Sequence, residues 1–500
     1  MKCLVLFGGL ELIAVGINSL AGQVVDATCK SYSPWRPSSL DTLFITEKLM
    51  NNPKKFAQIS LHIPPKMWYQ FDRAMSNART TNEEVIGFLF CKRHQVSKHK
   101  IRYLPQSWVV PSPDCYERQS ASGLVMKQQF HQYLLETFLE KEKLDVVHIH
   151  THSDRSQPEF SLVDDLYESE YARFLSSHFK NKPRLISGVF DETLQQSQFR
   201  IWDRQGKSAM SINCSKSWFE LTQEANSRNT TELMFARQQA FGAGVQKQLG
   251  ELTVALIGCG GIGSVFAELL GRLGVKKWIL IDRDRLESVN LNRLPAATEE
   301  MASQQWYKVH YVKHLIKRIY ATGSSVKAIP ASITDPLAKQ EVAAADLIVV
   351  ATDNHSSRQV AQELALTYMR PLVCLGTHID MKPDRTPRMY CRVTVPPLGG
   401  GWCLMCGNII NLHRAALESA ADEINHLAAR VGYVEGIGDP AVFWLNSLCA
   451  STGVGIIHSM LSGFLDVDNG LDWIYEFPGS NWLKTNPDHL GTCGCYFCGG

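Results

Sequence analysis

The hydrophobic pattern of this chain changes period twice between residues 253 and 293. Thr253 to Ile257 is a continuous apolar run of strand composition, Gly258-Cys-Gly260-Gly261-Ile-Gly263 follows at once, and Ser264 to Leu273 carries apolar residues at helical spacing. A second apolar run, Trp278 to Ile281, ends at Asp282. The pattern predicts a strand, a glycine turn, a helix start and a second strand. Glycines let a phosphate approach the backbone, the helix N-terminus offers unpaired N–H groups, and Asp282 stands where a carboxylate accepts ribose hydroxyls. Helical spacing returns at Trp306, Val309, Val312, Leu315, Ile316 and Ile319, a stretch that carries Lys308, and a further strand-like run, Ala345 to Val350, leads to Asp353. Pro371 to Gly376 reads as another strand and turn, and Phe443 onward as an apolar helix containing Cys449.

The first half has a different rhythm. Ile59 to Ile63 predicts a strand, Pro65 to Ala78 a helix and Glu84 to Phe90 a second strand. In Asp145-Val-Val-His148-Ile-His150-Thr-His152 the histidines stand at every second position, so they share one face of a strand. Ser161-Leu-Val-Asp164 then opens a helical pattern over Asp165 to Phe174. The division that results is a lead-in over 1–55, poorly structured from Asp26 to Lys55, a folded unit over 56–205, a polar linker over 206–232 and an α/β unit over 233–500.

A glycine turn followed by an acid suits a nicotinamide- or flavin-binding fold equally well. Val289-Asn290-Leu291-Asn292-Arg293 changes that reading, since Arg293 can reach a triphosphate and Asp353 can hold magnesium. This set resembles the ThiF/MoeB and ubiquitin-activating-enzyme superfamily, which adenylates the C-terminal glycine of ubiquitin-like proteins. The resemblance covers about residues 233–500. It implies that Gly258, Gly260, Gly261, Gly263 and Asp282 bind ATP, that Asn290 and Arg293 contact phosphates, that Lys308 polarises them and that Asp353 coordinates Mg2+. It further implies that Arg237, in Phe235-Ala-Arg237-Gln238, reaches into a partner subunit's ATP site, hence a homodimer. Leu294 departs from the family, which usually has Gln there.

Zinc in a hydrolytic site takes two or three imidazoles, a carboxylate and an open position for water. His150 and His152 with Asp164 supply such a set, and a Glu on a neighbouring strand can act as base. Each member also has a plain explanation: Ser161-x-x-Asp164 as a helix capping box, the histidines as a solvated strand face, Glu83 and Glu84 as surface acids. Taken in order, Glu-x-x-Gly, His-x-His and Ser-x-x-Asp resemble the JAB/JAMM (MPN+) metalloproteases, which cleave after the terminal glycine of ubiquitin-like proteins. That resemblance, over about 56–203, implies that His150, His152 and Asp164 ligate Zn2+, that Glu84 moves the proton and that Ser161 stabilises the oxyanion. Ser153 stands where the family usually has Pro. The fold class expected is therefore an α+β JAB/JAMM-like domain followed by a Rossmann-like α/β ThiF-type domain.

Cys403-Leu-Met-Cys406 and Cys495-Tyr-Phe-Cys498 are two Cys-x-x-Cys knuckles, which read as a closed, structural tetrathiolate zinc site also carried by the resembled family. The terminal Gly499-Gly500, directly after a knuckle, is read as coincidence. The interval from Gly407 to Pro440, where activating enzymes usually carry a thioester cysteine, has none, and Cys449 and Cys374 read as packed thiols. The expected chemistry stops at the acyl-adenylate.

Composition sets bounds on partners. With 51 basic against 49 acidic residues there is no global field to recruit nucleic acid or an acidic membrane, and scattered cysteines fit a reducing cytosol. In Met1 to Gly22, Glu11 interrupts the apolar run and no clean cleavage site follows, which argues against a secretion signal and for a cytoplasmic protein. The partners implied are a ubiquitin-like or sulfur-carrier protein and, beyond it, a conjugating enzyme. Two other readings stand beside this one: a nicotinamide-dependent oxidoreductase with an accessory domain, and an inactive scaffold that binds a ubiquitin-like protein.

Overall fold

The computed structural model describes residues 58–79, 83–97, 100–120, 123–152, 157–191, 196–219, 233–320, 322–381, 386–419, 440–485, 490, 495, 497 and 498. The lead-in over 1–55, Ser153, the second half of the expected linker (220–232) and Gly499-Gly500 lie outside the described residues. The chain divides into two compact units between Ser217 and Trp218.

The first unit is one mixed sheet with helices on both faces. Its strands are β1 (Gln58–His62), β2 (Ile86–Ser97), β3 (Lys100–Val109), β4 (Tyr116–Ser120), β5 (Gly123–Met126), β6 (Asp145–Thr151), β7 (Leu185–Phe190), β8 (Ser197–Trp202), β9 (Ala209–Ser211) and β10 (Asn213–Ser215). They run β10-β1-β3-β2-β6-β7-β8-β9, with β4-β5 as a separate hairpin. The helices are α1 (Pro65–Ala78), α2 (Gln128–Leu134), which continues as a π-helical stretch over Leu135–Lys141, and α3 (Leu162–His178).

Central β6 pairs with β2 antiparallel and β7 parallel, so both its edges are hydrogen-bonded. Val147 and Ile149 enter the core under α1 with Phe71 and Met75, while Val146 enters the opposite core with Leu175 of α3. Period-2 alternation therefore turns His148, His150 and His152 toward α3. Gly87 is required by packing: a Cβ there would stand 2.6 Å from the Phe71 ring and 2.7 Å from Met75 Sδ. Two expectations need correcting here. β2 begins at Ile86, so Glu84 precedes the strand. The stretch from 206 is not a plain linker, because β9 and β10 close the two edges of the sheet, β10 pairing in parallel with β1.

The second unit is doubly wound. Its strands are β11 (Thr253–Ile257), β12 (Lys277–Ile281), β13 (Ser325–Ile329), β14 (Leu347–Val350), β15 (Leu372–Asp380), β16 (Arg388–Val395), β17 (Leu471–Phe477) and β18 (Asn481–Lys484), in the order β13-β12-β11-β14-β15-β16-β17-β18. The first five are parallel and the last three antiparallel. The helices are α4 (Ala243–Glu251), α5 (Gly261–Leu273), α6 (Glu299–Ser303), α7 (Lys308–Ile319), α8 (Pro336–Ala343), α9 (His355–Tyr368), α10 (Leu412–Glu418) and α11 (Phe443–Ser462). Residues of α5, α7 and α11 form the core on one face and those of α8 and α9 the core on the other, which is why β11, β12 and β14 are continuous apolar runs. The strand order reverses between β11 and β14, the point at which such sheets open a crevice for a ligand.

Two boundaries differ from the pattern. β15 continues through Gly376 to Asp380, so there is no turn at Gly376 and Cys374 lies inside the strand; pairing with β16 carries it on. α5 starts at Gly261, three residues before its first polar position, because the glycine turn is itself the first helical turn. Among the described residues no helix is long and apolar enough to cross a membrane.

Candidate functional sites

The glycine turn sits at the switch point of the second unit. Gly258 has φ +94°, and a Cβ there would stand 2.7 Å from the Ala351 carbonyl oxygen at the end of β14, so the turn and the β14 loop are in contact. Among the described residues nothing lies within 4 Å of where a Gly260 Cβ would be, while a Gly261 Cβ would stand 3.2 Å from Arg293 Cδ and 2.5 Å from Asn446 Nδ2. The start of α5 is therefore open at Gly260 and flanked by Arg293.

Asp282, at the tip of β12, accepts hydrogen bonds from Cys259 N (2.7 Å) and Asp284 N (2.8 Å). Burial pushes its carboxyl up, with Lys308 and those two N–H groups pulling it back. Lys308 opens α7 and donates to Asp284 Oδ2 at 2.8 Å. Arg293 donates to Val289 O (2.8 Å) and Asn292 Oδ1 (3.0 Å), which holds it across the turn. Asn290 is buried, and its Oδ1 accepts from Glu287 N at 3.1 Å, shaping the 3-10 turn that presents Arg293. Asp353 is exposed in the bend after β14, and its neighbour Asn354 caps α9. Arg237 is exposed on a 3-10 segment, Leu233–Phe241. Leu294 is buried in the core.

Sequence reasoning missed Asn446, which lies against Gly261 while its Oδ1 accepts from Thr377 Oγ1 at 3.1 Å. Its signal was available: a buried polar residue inside the apolar run of α11. Cys449, on the same helix, is fully buried, with its Sγ 3.5 Å from Gly376 O and 3.6 Å from Arg392 O. Its hydrogen bond with Cys391 and burial push its thiol well above the ordinary range.

The histidine cluster of the first unit is tight. His150 Nε2 lies 3.2 Å from His152 Nε2 and 3.4 Å from Asp164 Oδ1, and His152 Nε2 lies 3.5 Å from Asp164 Oδ2. A tetrahedral zinc with Zn–N and Zn–O of about 2.0–2.2 Å needs its ligand atoms roughly 3.3–3.6 Å apart, so the donor set fits the ion. Ser161 and Asp164 do form a capping box at the start of α3, and Asp164 also accepts from Ser161 Oγ at 2.8 Å. The cap and the cluster are thus one device, since the hydrogen bonds that start the helix aim the carboxylate at the histidines. Burial opposes ionisation of Asp164, yet its bonds with His150 and His152 hold it far below the usual carboxylate range.

Glu84 is buried beside this cluster. β2 and β6 pair with Ile86 opposite His150, a register that continues through the hydrogen bond from Thr151 N to Val85 O and brings Glu84 opposite His152. Its backbone is held by Ser120 O and by Gln119 Nε2.

The four knuckle cysteines come together, with Sγ···Sγ separations of 3.8 Å (Cys403–Cys406), 3.7 Å (Cys403–Cys495) and 3.6 Å (Cys406–Cys498). A tetrahedral zinc with Zn–S of about 2.3 Å sets this separation at about 3.8 Å. Disulfide sulfurs would be at about 2.05 Å, so these are four thiols gathered round one point. Arg392 ties the knuckle loop to the sheet, donating to Gly407 O and to both oxygens of buried Asp472.

Residues 235–433 match the ThiF family. The second unit therefore carries a ThiF-family domain on a Rossmann-like α/β sheet. Among curated proteins, the chain is 28% identical over 184 residues to the sulfur carrier protein ThiS adenylyltransferase of Bacillus subtilis (strain 168), covering 35% of this chain and 54% of that protein. It is 29% identical over 163 residues to the adenylyltransferase and sulfurtransferase MOCS3 of Bos taurus, covering 32% and 33%. It is also 30% identical over 129 residues to ubiquitin-like modifier-activating enzyme 5 of Mus musculus, covering 26% and 31%. The chain thus spans about half or less of the length of these relatives. A solved structure of E. coli MccB with ATP aligns at TM-score 0.43 and 20% identity, over 54% of this chain and 75% of that one.

Proposed function

We propose that the second unit uses ATP to adenylate the C-terminal carboxylate of a ubiquitin-like or sulfur-carrier protein. The observation that carries this reading is the meeting of the glycine turn, Asp282, Arg293 and Lys308 with the Asp353 loop at the strand-order reversal of a ThiF-family domain. Asp282 accepts the ribose hydroxyls; the open start of α5 receives phosphate; Arg293 and Lys308 neutralise charge as the β,γ-diphosphate leaves. The partner's carboxylate oxygen attacks the α-phosphorus, forming the acyl–O–P bond as the α–β bridge breaks and pyrophosphate departs. Asp353 would hold magnesium, which supplies further neutralisation of phosphate charge. Exposed Arg237 is left for the site of a second copy. ATP–pyrophosphate exchange that depends on a glycine-terminated ubiquitin-like protein tests this reading, and NAD(P)-dependent turnover in its place would favour the oxidoreductase.

The first unit is proposed as a zinc peptidase of the JAB/JAMM kind acting on the same class of protein. The 3.2–3.5 Å separations among His150, His152 and Asp164, with buried Glu84 in register beside them, support this over a scaffold, which has no chemical need for the set. Bound by those three ligands, zinc would supply Lewis-acid polarisation of the scissile carbonyl and acidify water. Glu84 takes the proton of the attacking water and returns it to the leaving amine; Ser161 turns its one hydroxyl proton from Asp164 to the developing oxyanion.

The cysteine cluster is proposed as a structural zinc site of Cys403, Cys406, Cys495 and Cys498. Cys406→Ser should lower bound zinc by one per chain. It should also lower the Tm of the second unit by roughly 6–12 °C if about 3 kcal/mol of coupled metal binding is lost. Metal analysis and calorimetry check both, and unchanged zinc would remove Cys406 from the site.

The acyl group is expected to pass straight from AMP to an external nucleophile, because the buried, proton-holding thiol of Cys449 has no access to it. Non-reducing gels after incubation with ATP and partner should show no thiol-sensitive adduct. An adduct lost in Cys449→Ala and kept in Cys374→Ala would overturn this.

A further inference from the structure

Behind the histidine cluster lies a second group of side chains that the proposed peptidase chemistry does not use. Glu168 is four residues after Asp164 on α3, so the two carboxylates share one face of the helix. Its Oε2 accepts from Arg200 Nε (2.9 Å), Arg200 Nη2 (2.6 Å) and Trp202 Nε1 (2.8 Å), both partners lying on β8. Its Oε1 is buried and makes no hydrogen bond among the described residues. The Nδ1 atom of His150 is likewise buried and makes none among them. A carboxylate oxygen of Glu168 and one ring nitrogen each of His148 and His150 lie within 4.8 Å of one another. Oε1 and Nδ1 thus belong to neighbouring side chains, and two buried, complementary groups that each lack a bond are costly to leave apart, so a small side-chain adjustment or one water between them would satisfy both.

We propose that Glu168 is a positioning residue for the cluster: its Oε1 accepts the Nδ1 proton of His150, holding that ring with Nε2 turned to His152 and Asp164. The proposal rests on reading the cluster as a zinc site. A metal-ligating histidine commonly donates its other ring N–H to a carboxylate or carbonyl, which fixes tautomer and orientation. Arg200 makes the arrangement rigid, being anchored also on Asp165 and stacked over the rings of Phe160 (3.7 Å) and Trp202 (5.0 Å). The same guanidinium argues against a second metal ion on His148, His150 and Glu168, because a dication would share the Glu168 carboxylate with it.

The test uses the full-length chain labelled with 15N-histidine, metal-free and zinc-loaded. In both forms the Nδ1 proton of His150, assigned by its loss in His150→Ala, should resonate downfield and exchange slowly with solvent. In Glu168→Gln, whose amide can present donors instead of an acceptor, that proton should move upfield. Zinc affinity of the first unit, measured against a chromophoric chelator, should fall about 10–100-fold. A freely exchanging His150 Nδ1 proton in the unaltered chain overturns the proposal, whether or not the variant folds. So does a Glu168→Gln chain with zinc affinity within about twofold of the original. A third zinc per chain that vanishes in Glu168→Gln would make it a ligand, which also overturns it. Should His150→Ala leave total zinc unchanged, the zinc-site reading fails by itself, and the metal-free Nδ1 proton still decides the Glu168 contact.

Discussion

Asp353→Ala is expected to reduce ATP–pyrophosphate exchange by about 10³-fold or more while leaving the fold intact. Magnesium neutralisation of phosphate charge is worth several kcal/mol in a transition state, and each 1.36 kcal/mol is about tenfold in rate. The fold should survive because Asp353 is exposed and the cap of α9 is made by Asn354, which accepts from Ser357 N at 2.8 Å. Exchange kinetics together with circular dichroism check both halves. Normal exchange in a folded variant would remove Asp353 from the mechanism.

Glu84→Gln is expected to keep zinc in the first unit and to slow cleavage of a C-terminally extended ubiquitin-like protein by about 10²–10⁴-fold. The amide preserves the shape of a side chain that is 5% exposed, and the backbone bonds to Ser120 and Gln119 are untouched. What it loses is the ability to carry a proton between water and the leaving amine. ATP–pyrophosphate exchange by the second unit should be unchanged. Loss of zinc from the first unit in this variant, measured by metal analysis, would make Glu84 a ligand and falsify its assignment as the proton carrier.

Local chemistry was legible wherever a short span of chain carries the whole device. The glycine turn and the second-strand acid lie within about one βαβ unit, and their spacing alone placed Gly258 to Gly263 against Asp282. The capping box is likewise local, and Ser161-x-x-Asp164 forms it at the start of α3. Period-2 alternation put His148, His150 and His152 on one face, but alternation cannot say what covers that face. Glu168 and Arg200 went unread for this reason: the carboxylate has a signal four residues from Asp164, while its partner comes from β8, 32 residues on.

Strand ends were the least legible feature. Gly376 reads as a turn because glycine is depleted in strands. It lies within β15 because β16 supplies a partner on that edge. The same cause turned part of the expected linker into β9 and β10, three-residue strands that exist by pairing to the sheet edges.

From sequence alone follow the two kinds of unit, the elements that carry the candidate residues and the residue types available for each chemistry, because periodicity and turn residues are properties of neighbouring positions. Tertiary structure decided which of those residues meet. It brought Cys403 and Cys406 to Cys495 and Cys498 across 92 residues. It set Asn446 against the glycine turn. It placed Cys449 where no water reaches it. Each depends on elements far apart in the chain meeting in space, and no local pattern encodes such a partner.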